Sequence, residues 1–283
     1  MNCYQVILGL LSLFAMGCQQ GTDAIAPAVT ATTSINSSTA TTPATTANLR
    51  LKQMTVQGDN GGLGPYFINT RFSYKQGRLL SQVIVPPTSP NATELTNECT
   101  YDEQGRLTSY RVRYGQANSD GSVGELTTYT FGDGFIEQTT TRFQANGQPL
   151  PDQLNERNIY RLNTQGQVTE WQQENIIRYG FPTRARYVYT YENGNIVKAA
   201  YLNANDRTEF TINYQYDDKV NPFNKWSYTF DPVLYSSRNN IVSAQVDQGT
   251  VYKTEYTYTE QGLPRTKKDV AKGAVLSYDY ESF

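Results

Sequence analysis

One local sentence recurs along most of the chain, and a repeat limits the fold before any single residue does. Phe72-Ser73-Tyr74-Lys75-Gln76-Gly77-Arg78-Leu79 returns as Cys99-Thr100-Tyr101-Asp102-Glu103-Gln104-Gly105-Arg106-Leu107. Variants follow over Tyr129–Ile136, Tyr160–Val168, Tyr189–Ile196 and Tyr256–Leu263. The glycines at 77, 105, 134, 166 and 194 are 28, 29, 32 and 28 residues apart. Before each glycine, aromatic or aliphatic residues alternate with polar ones, the two-residue period of a half-buried strand. The glycine stands where the chain must reverse through a positive φ, and an aliphatic residue opens the returning strand. Each unit is therefore a β-hairpin, and the array is an antiparallel meander.

This reading gives an all-β domain over residues 51–283 with roughly 12–14 strands in sequence order. So long a sheet curls, and a strongly curved sheet with its tyrosine face inward is the expectation, with a closed β-barrel as the alternative. The last third departs from the pattern. Tyr214-Gln215-Tyr216-Asp217-Asp218-Lys219 runs on to Asn221-Pro222-Phe223 with no glycine, and Asp231-Pro232 can open a helical turn. A hairpin loop enlarged into a small cap is expected there.

The N-terminus reads as an export signal. Val6–Phe14 is too short an apolar run to span a bilayer, and Ala15-Met16-Gly17-Cys18 follows it with small residues at the positions before a cut. The segment resembles a lipobox, which implies a signal peptide over 1–17 and a lipid on Cys18; ordinary secretory cleavage is the alternative. Residues 18–50 are rich in Thr, Ala, Ser and Pro, too poor in apolar area to offset the entropy of ordering, and read as a flexible tether. Gln19 in place of Asp implies, by the lipoprotein sorting pattern, an outer-membrane address facing either the periplasm or the surface.

The Tyr-x-Tyr-Asp/Glu-x-x-Gly-Arg-Leu units resemble the YD repeats of Rhs-type proteins. Together with Tyr214–Phe223, Asn239-Asn240-Ile241 and the lipobox, they resemble a family of YD-repeat-like lipoproteins of Gram-negative envelopes, catalogued as a domain of unknown function. The resemblance implies no catalytic residues, and with so few repeats it does not imply the toxin-enclosing cocoon of Rhs proteins.

Composition narrows the chemistry. The chain has no histidine, which excludes a Ser-His-Asp or Cys-His unit and the common zinc sites. A net charge of −2 supplies no basic field for nucleic acid. Once the signal is removed and Cys18 lipidated, Cys99 stands alone among Cys3, Cys18 and Cys99, so no disulfide forms within the mature chain, and Cys99 is expected to be a small buried hydrophobe in a strand. No Walker loop, dinucleotide fingerprint, Cys-x-x-Cys pair or nucleophile elbow occurs, and no cofactor or metal is implied.

Aromatic stripes are the strongest constellation. Tyr187, Tyr189 and Tyr191 share one strand face, as do Tyr252, Tyr256 and Tyr258, Tyr110, Val112 and Tyr114, and Phe210, Ile212, Tyr214 and Tyr216; Trp226, Tyr228 and Phe230 form a fifth stripe. They serve as core, with Tyr187, Tyr189, Tyr191, Tyr256 and Tyr258 as candidates to contact a ligand. The carboxylates Asp102, Asp133, Glu192 and Asp217 fall beside successive turns and are expected along one rim. The sequence thus points to a non-catalytic envelope module for a glycan, a peptide or another envelope protein. A carboxylate-dependent glycan hydrolase and a structural or lipid-carrying lipoprotein are the alternatives.

Overall fold

A computed structural model describes residues 49–59, 65–85, 94–118, 121–150, 156–178, 181–224 and 231–283. The signal peptide, Cys18 and the tether up to residue 48 lie outside these residues, as does the fifth stripe, Trp226, Tyr228 and Phe230. The described residues form one compact unit.

The strands are β1 (Leu49–Asp59), β2 (Pro65–Lys75), β3 (Arg78–Val85) and β4 (Leu95–Tyr101). Next come β5 (Leu107–Arg113), β6 (Ser122–Gly132), β7 (Phe135–Gln144) and β8 (Glu156–Leu162). The third quarter holds β9 (Val168–Arg178), β10 (Phe181–Glu192), β11 (Asn195–Leu202) and β12 (Thr208–Val220). After one short helix, α1 (Pro232–Ser236), the chain ends with β13 (Asn239–Val246), β14 (Val251–Tyr258), β15 (Pro264–Asp269) and β16 (Val275–Ser282). Every neighbour pair is antiparallel and consecutive, and β16 pairs back onto β1, with Met54 opposite Tyr278 and Val56 opposite Leu276. The sheet therefore closes. The barrel alternative holds in place of the open curved sheet, with 16 strands where fewer were expected. Closure removes both exposed edges, each of which would leave a row of unpaired backbone groups. The first strand also begins two residues before the expected boundary, at Leu49.

The repeat explains the turns. Gly77, Gly105, Gly134, Gly166, Gly194 and Gly262 all have φ between 71° and 83°. At Gly105 a second constraint applies: a Cβ there would stand 2.5 Å from the Arg78 guanidinium. Arg78 lies over the Tyr101 ring at 5.8 Å, and Arg106 over Phe131 at 4.5 Å. The arginine after one glycine thus packs on the aromatic before the next. The repeated tyrosine has a parallel role. Tyr74, Tyr191, Tyr216 and Tyr280 donate their hydroxyls to the carbonyls of Leu51, Val168, Ile196 and Pro264 on the preceding strand.

Side chains of one parity point inward on every strand, and they carry the core: Val56, Ile68, Ile84, Leu95, Tyr110, Ile136, Tyr160, Tyr189, Tyr214, Leu276 and Tyr278 are all buried. Sixteen strands enclose more space than wall side chains alone fill, since about 8 already give an interior just wide enough for them. The β12–β13 connection takes up part of that space. Asn221, Phe223, Val233, Tyr235 and Ser237 are buried. Phe223 meets the Tyr235 ring at 6.1 Å and the Tyr278 ring of β16 at 6.2 Å. Asp231, the N-cap of α1, acts electrostatically on Tyr160 of β8, Tyr189 of β10, Tyr214 of β12 and Lys267 of β15. One segment reaches strands so far apart around the barrel only from inside it. The expected cap is thus an inward plug; its proline does stand at the start of the helix, with Asp231 accepting from the Val233 amide at 2.8 Å.

Candidate functional site

The outward parity carries charges on most of the strands. Arg71 pairs with Glu94, Arg113 with Glu98 and Arg161 with Glu170. Arg157 bridges Glu137 and Glu174 at 2.7 and 2.6 Å, and hydrogen bonding to Arg157 lowers the Glu137 carboxyl below its usual range. Lys198, Lys253, Glu255 and Lys268 continue this face on β11, β14 and β15. A barrel embedded in lipid presents an apolar band about 25 Å tall, and this exterior has charges at mid-strand where that band would lie. No helix among the described residues is long and apolar enough to cross a membrane, which leaves the strands to decide the matter.

The inward parity breaks its apolar pattern on β5 to β9. Tyr114, Glu125, Arg142 and Glu156 point into the barrel toward the end opposite the glycine turns, and each keeps some exposure. Registers set them together: Val112 faces Glu125, Glu125 faces Arg142, and Thr140 faces Glu156. Tyr114 donates its hydroxyl to Glu125 at 2.8 Å, and the Arg142 guanidinium lies 4.0 Å from Glu125 and 3.9 Å from Glu156. Beside them Thr127 and Thr140 share a hydroxyl bond of 2.8 Å, and Tyr160 donates to Gln138 at 2.6 Å. On β4, Asn97 donates to Gln82 at 3.3 Å, while its own carbonyl oxygen, deeply buried, has no partner among the described residues. The buried Tyr129 hydroxyl has none either.

This polar wall runs into an aromatic ladder. Tyr160, Trp171, Tyr187, Tyr201 and Phe210 are direct cross-strand partners on β8 to β12. Successive centroids are 6.2, 5.1, 5.2 and 4.7 Å apart, three of the four contacts being stacked. Trp171 lies stacked between Tyr160 and Tyr187, so both of its faces are covered by neighbours and the ladder is no flat platform. The Trp171 indole donates to Asn158 at 2.9 Å, fixing the ladder to the wall.

The candidates read from sequence separate into different roles. Tyr187 is in the ladder, whereas Tyr189 is fully buried and burial raises its phenol far above the usual range. The Tyr191 hydroxyl is committed to Val168. Tyr256 stacks on Tyr258 at 6.0 Å, and Tyr258 donates to Asp217. That carboxylate also accepts from the Lys219 and Asn240 amides, so it ties β12, β13 and β14 together. Asp102 accepts from the Arg106 amide and guanidinium within its own turn. Cys99 is buried in β4, and burial pushes its thiol up to about 11, which makes it unreactive at neutral pH. Among the described residues no group of His, Cys, Asp and Glu is placed to hold a metal ion. The sequence reading missed Glu125, Arg142, Glu156 and Trp171. Their signal was present as a parity break: Glu125-x-Thr127, Thr140-x-Arg142 and Glu156-x-Asn158 put polar groups where neighbouring strands put apolar ones.

The fold is similar to that of a porin-like protein. That crystal structure, from Bacteroides uniformis, aligns with a TM-score of 0.51 at 13% identity over 82% of this chain and 98% of its own. At that identity the likeness concerns architecture alone. No protein-family model matches the chain, and no curated protein matches it.

Proposed function

We propose that this protein is a non-catalytic envelope module, tethered to the outer membrane by a lipid on Cys18, whose barrel stands in water and takes a guest at its interior wall. The observation that carries this reading is the division of the sheet into two faces. Charges stand on the outside of most strands, as on a soluble domain, while the inside of β5 to β12 keeps partly exposed polar and aromatic groups where a sealed core would be apolar. The lipobox-like segment and the long polar tether then supply the membrane attachment that the barrel surface does not.

Catalysis is disfavoured on geometry. The inward carboxylates Glu125 and Glu156 flank Arg142, whose guanidinium occupies the space in which a scissile glycosidic bond would lie. Fractionation and a binding screen test the proposal together. Wild-type protein is expected in the membrane fraction and Cys18→Ser protein out of it, and the purified protein is expected to bind a glycan or peptide saturably without converting it. Membrane retention of a correctly processed Cys18→Ser chain, or turnover of any bound compound, refutes the reading.

A further inference from the structure

Resting on the reading that the barrel takes a guest, we propose that the inner wall formed by Tyr114, Glu125, Arg142, Glu156 and Asn158 beside Trp171 is a binding site for a neutral saccharide.

Chemistry selects the class. The wall offers two carboxylates that accept, one guanidinium that donates, and amide and phenol groups that do both. Hydroxyl groups, which donate and accept, satisfy such a mixture. An anionic guest meets two negative charges against one positive, and a cationic guest would have to displace Arg142 from between Glu125 and Glu156. Partial exposure leaves Tyr114, Glu125, Arg142 and Glu156 reachable, while the rings of Trp171, Tyr187 and Tyr201 supply an apolar border. Few convergent polar groups against aromatic walls are the usual make-up of a small-molecule site.

A second observation is independent of the charged cluster. Asn97 and Tyr129 lie on the same inward face with 3% and 7% exposure, and the carbonyl oxygen of one and the hydroxyl of the other have no partner among the described residues. Such buried polar atoms cost free energy unless something fills their vacant bonds. Asn97 lies on β4 beside the wall, directly opposite Val112, which itself faces Glu125, and Tyr129 lies on β6, a strand of the wall itself, opposite Gln138. A guest hydroxyl, direct or through water, meets that need.

The test uses full-length protein in mild detergent, in a Trp226→Phe background so that emission reports Trp171. Maltoheptaose, cellohexaose, chitohexaose and a β-1,3-glucan oligomer are titrated, with polygalacturonate and hexalysine as charged comparators. At least one neutral saccharide is expected to change the emission saturably. Glu156→Gln and Arg142→Gln are each expected to weaken it about ten-fold or more, the loss of one charge-assisted hydrogen bond. Arg157→Gln, on the outer face, is expected to leave it unchanged. Where an inner variant loses its β-sheet signal, hydrogen exchange on the wild type replaces it, with saccharide expected to protect β6 to β9 more than β13 to β15. Saccharide binding indifferent to both inner variants, exchange protection elsewhere, or no response to any neutral saccharide overturns the proposal. Saturable binding of polygalacturonate or hexalysine alone overturns the ligand class but leaves the broader binding reading standing; turnover defeats that reading instead.

Discussion

The hydroxyl of Tyr191 donates to the main-chain carbonyl of Val168 at 3.0 Å, across from the last turn of one strand to the first residue of the strand before it. Tyr74 to Leu51, Tyr216 to Ile196 and Tyr280 to Pro264 repeat this link at 2.6, 2.6 and 2.9 Å. The tyrosine of the repeat is therefore a clamp between neighbouring strands at the glycine-turn end, and its ring and its oxygen work at different levels: one fills the interior, the other satisfies a backbone acceptor.

Tyr191→Phe keeps the ring and removes the bond, so it is expected to destabilise the barrel by about 1 kcal/mol, as one net hydrogen bond does. Tyr191→Ala also deletes the ring and is expected to cost about 3 kcal/mol or more. Denaturant midpoints of the two variants check the difference. A Tyr191→Phe variant as stable as the wild type would mean that the hydroxyl contributes nothing and the clamp is only packing.

How far the fold could be read follows from where the signal is local. Glycine position and two-residue alternation fix hairpins because the turn conformation and the pleat act over a few residues, and Gly194 with Ile196 shows both. Closure was legible only as the alternative to an open curved sheet, since the choice depends on Met54 meeting Tyr278, far apart in sequence, and on accumulated twist. The plug was hidden for a related reason. Asp231-Pro232 announces a helical turn, but nothing local distinguishes a turn above the barrel from one within it. For the site, stripes such as Tyr187-x-Tyr189-x-Tyr191 identified the inward face correctly; which phenols remain uncommitted depends on cross-strand partners such as Val168 and Asp217.

Gly105→Ala tests the interlock between units. The residue has φ of 83°, and the added methyl would press on the Arg78 guanidinium that covers Tyr101. Left-handed backbone alone costs an L-residue about 1–2 kcal/mol. Gly77→Ala has a comparable φ of 76° with open space around it, so it is expected to cost less than Gly105→Ala. Calorimetry of the two proteins measures that ordering, and a reversed ordering would show that the Arg78 contact yields freely.

The plug depends on Asn221. Its amide donates to the carbonyls of Leu234 and Ser237 at 2.6 and 2.9 Å, and its oxygen accepts from the Phe223 amide at 3.0 Å. Asn221→Ala leaves those buried backbone groups unsatisfied and is expected to destabilise by about 2–3 kcal/mol or more. Because the lost bonds all lie within residues 221–237, hydrogen exchange is expected to rise there first, with β2 to β5 little changed. Uniform exchange around the barrel would show that plug and wall unfold as one.

Alkaline pH is expected to unfold this protein abruptly. Burial raises the phenols of Tyr110, Tyr160, Tyr189 and Tyr278 well above their ordinary value of 10.0. A group whose folded value is raised contributes stability that is complete below its unfolded value and is lost as pH climbs beyond it. Each phenol therefore withdraws about 1.4 kcal/mol per pH unit above 10, and four together withdraw about 5.6 kcal/mol per unit, against the roughly 5–15 kcal/mol of a typical domain. Lys267 acts in the opposite sense. It points inward, and burial lowers its amine to about 8 from 10.5, so the unfolded chain holds that proton more tightly and stability rises as pH passes from 8 toward 10.5. Cys99, raised from 9.0 to about 11, begins to offset that gain from pH 9. The melting temperature should then change little up to pH 9 and collapse above pH 10. Tyrosinate absorbance and β-sheet circular dichroism, followed together, decide the point: both should change in one cooperative step. Phenols that ionise gradually near pH 10 with the sheet signal intact would show that the inward tyrosines reach water freely.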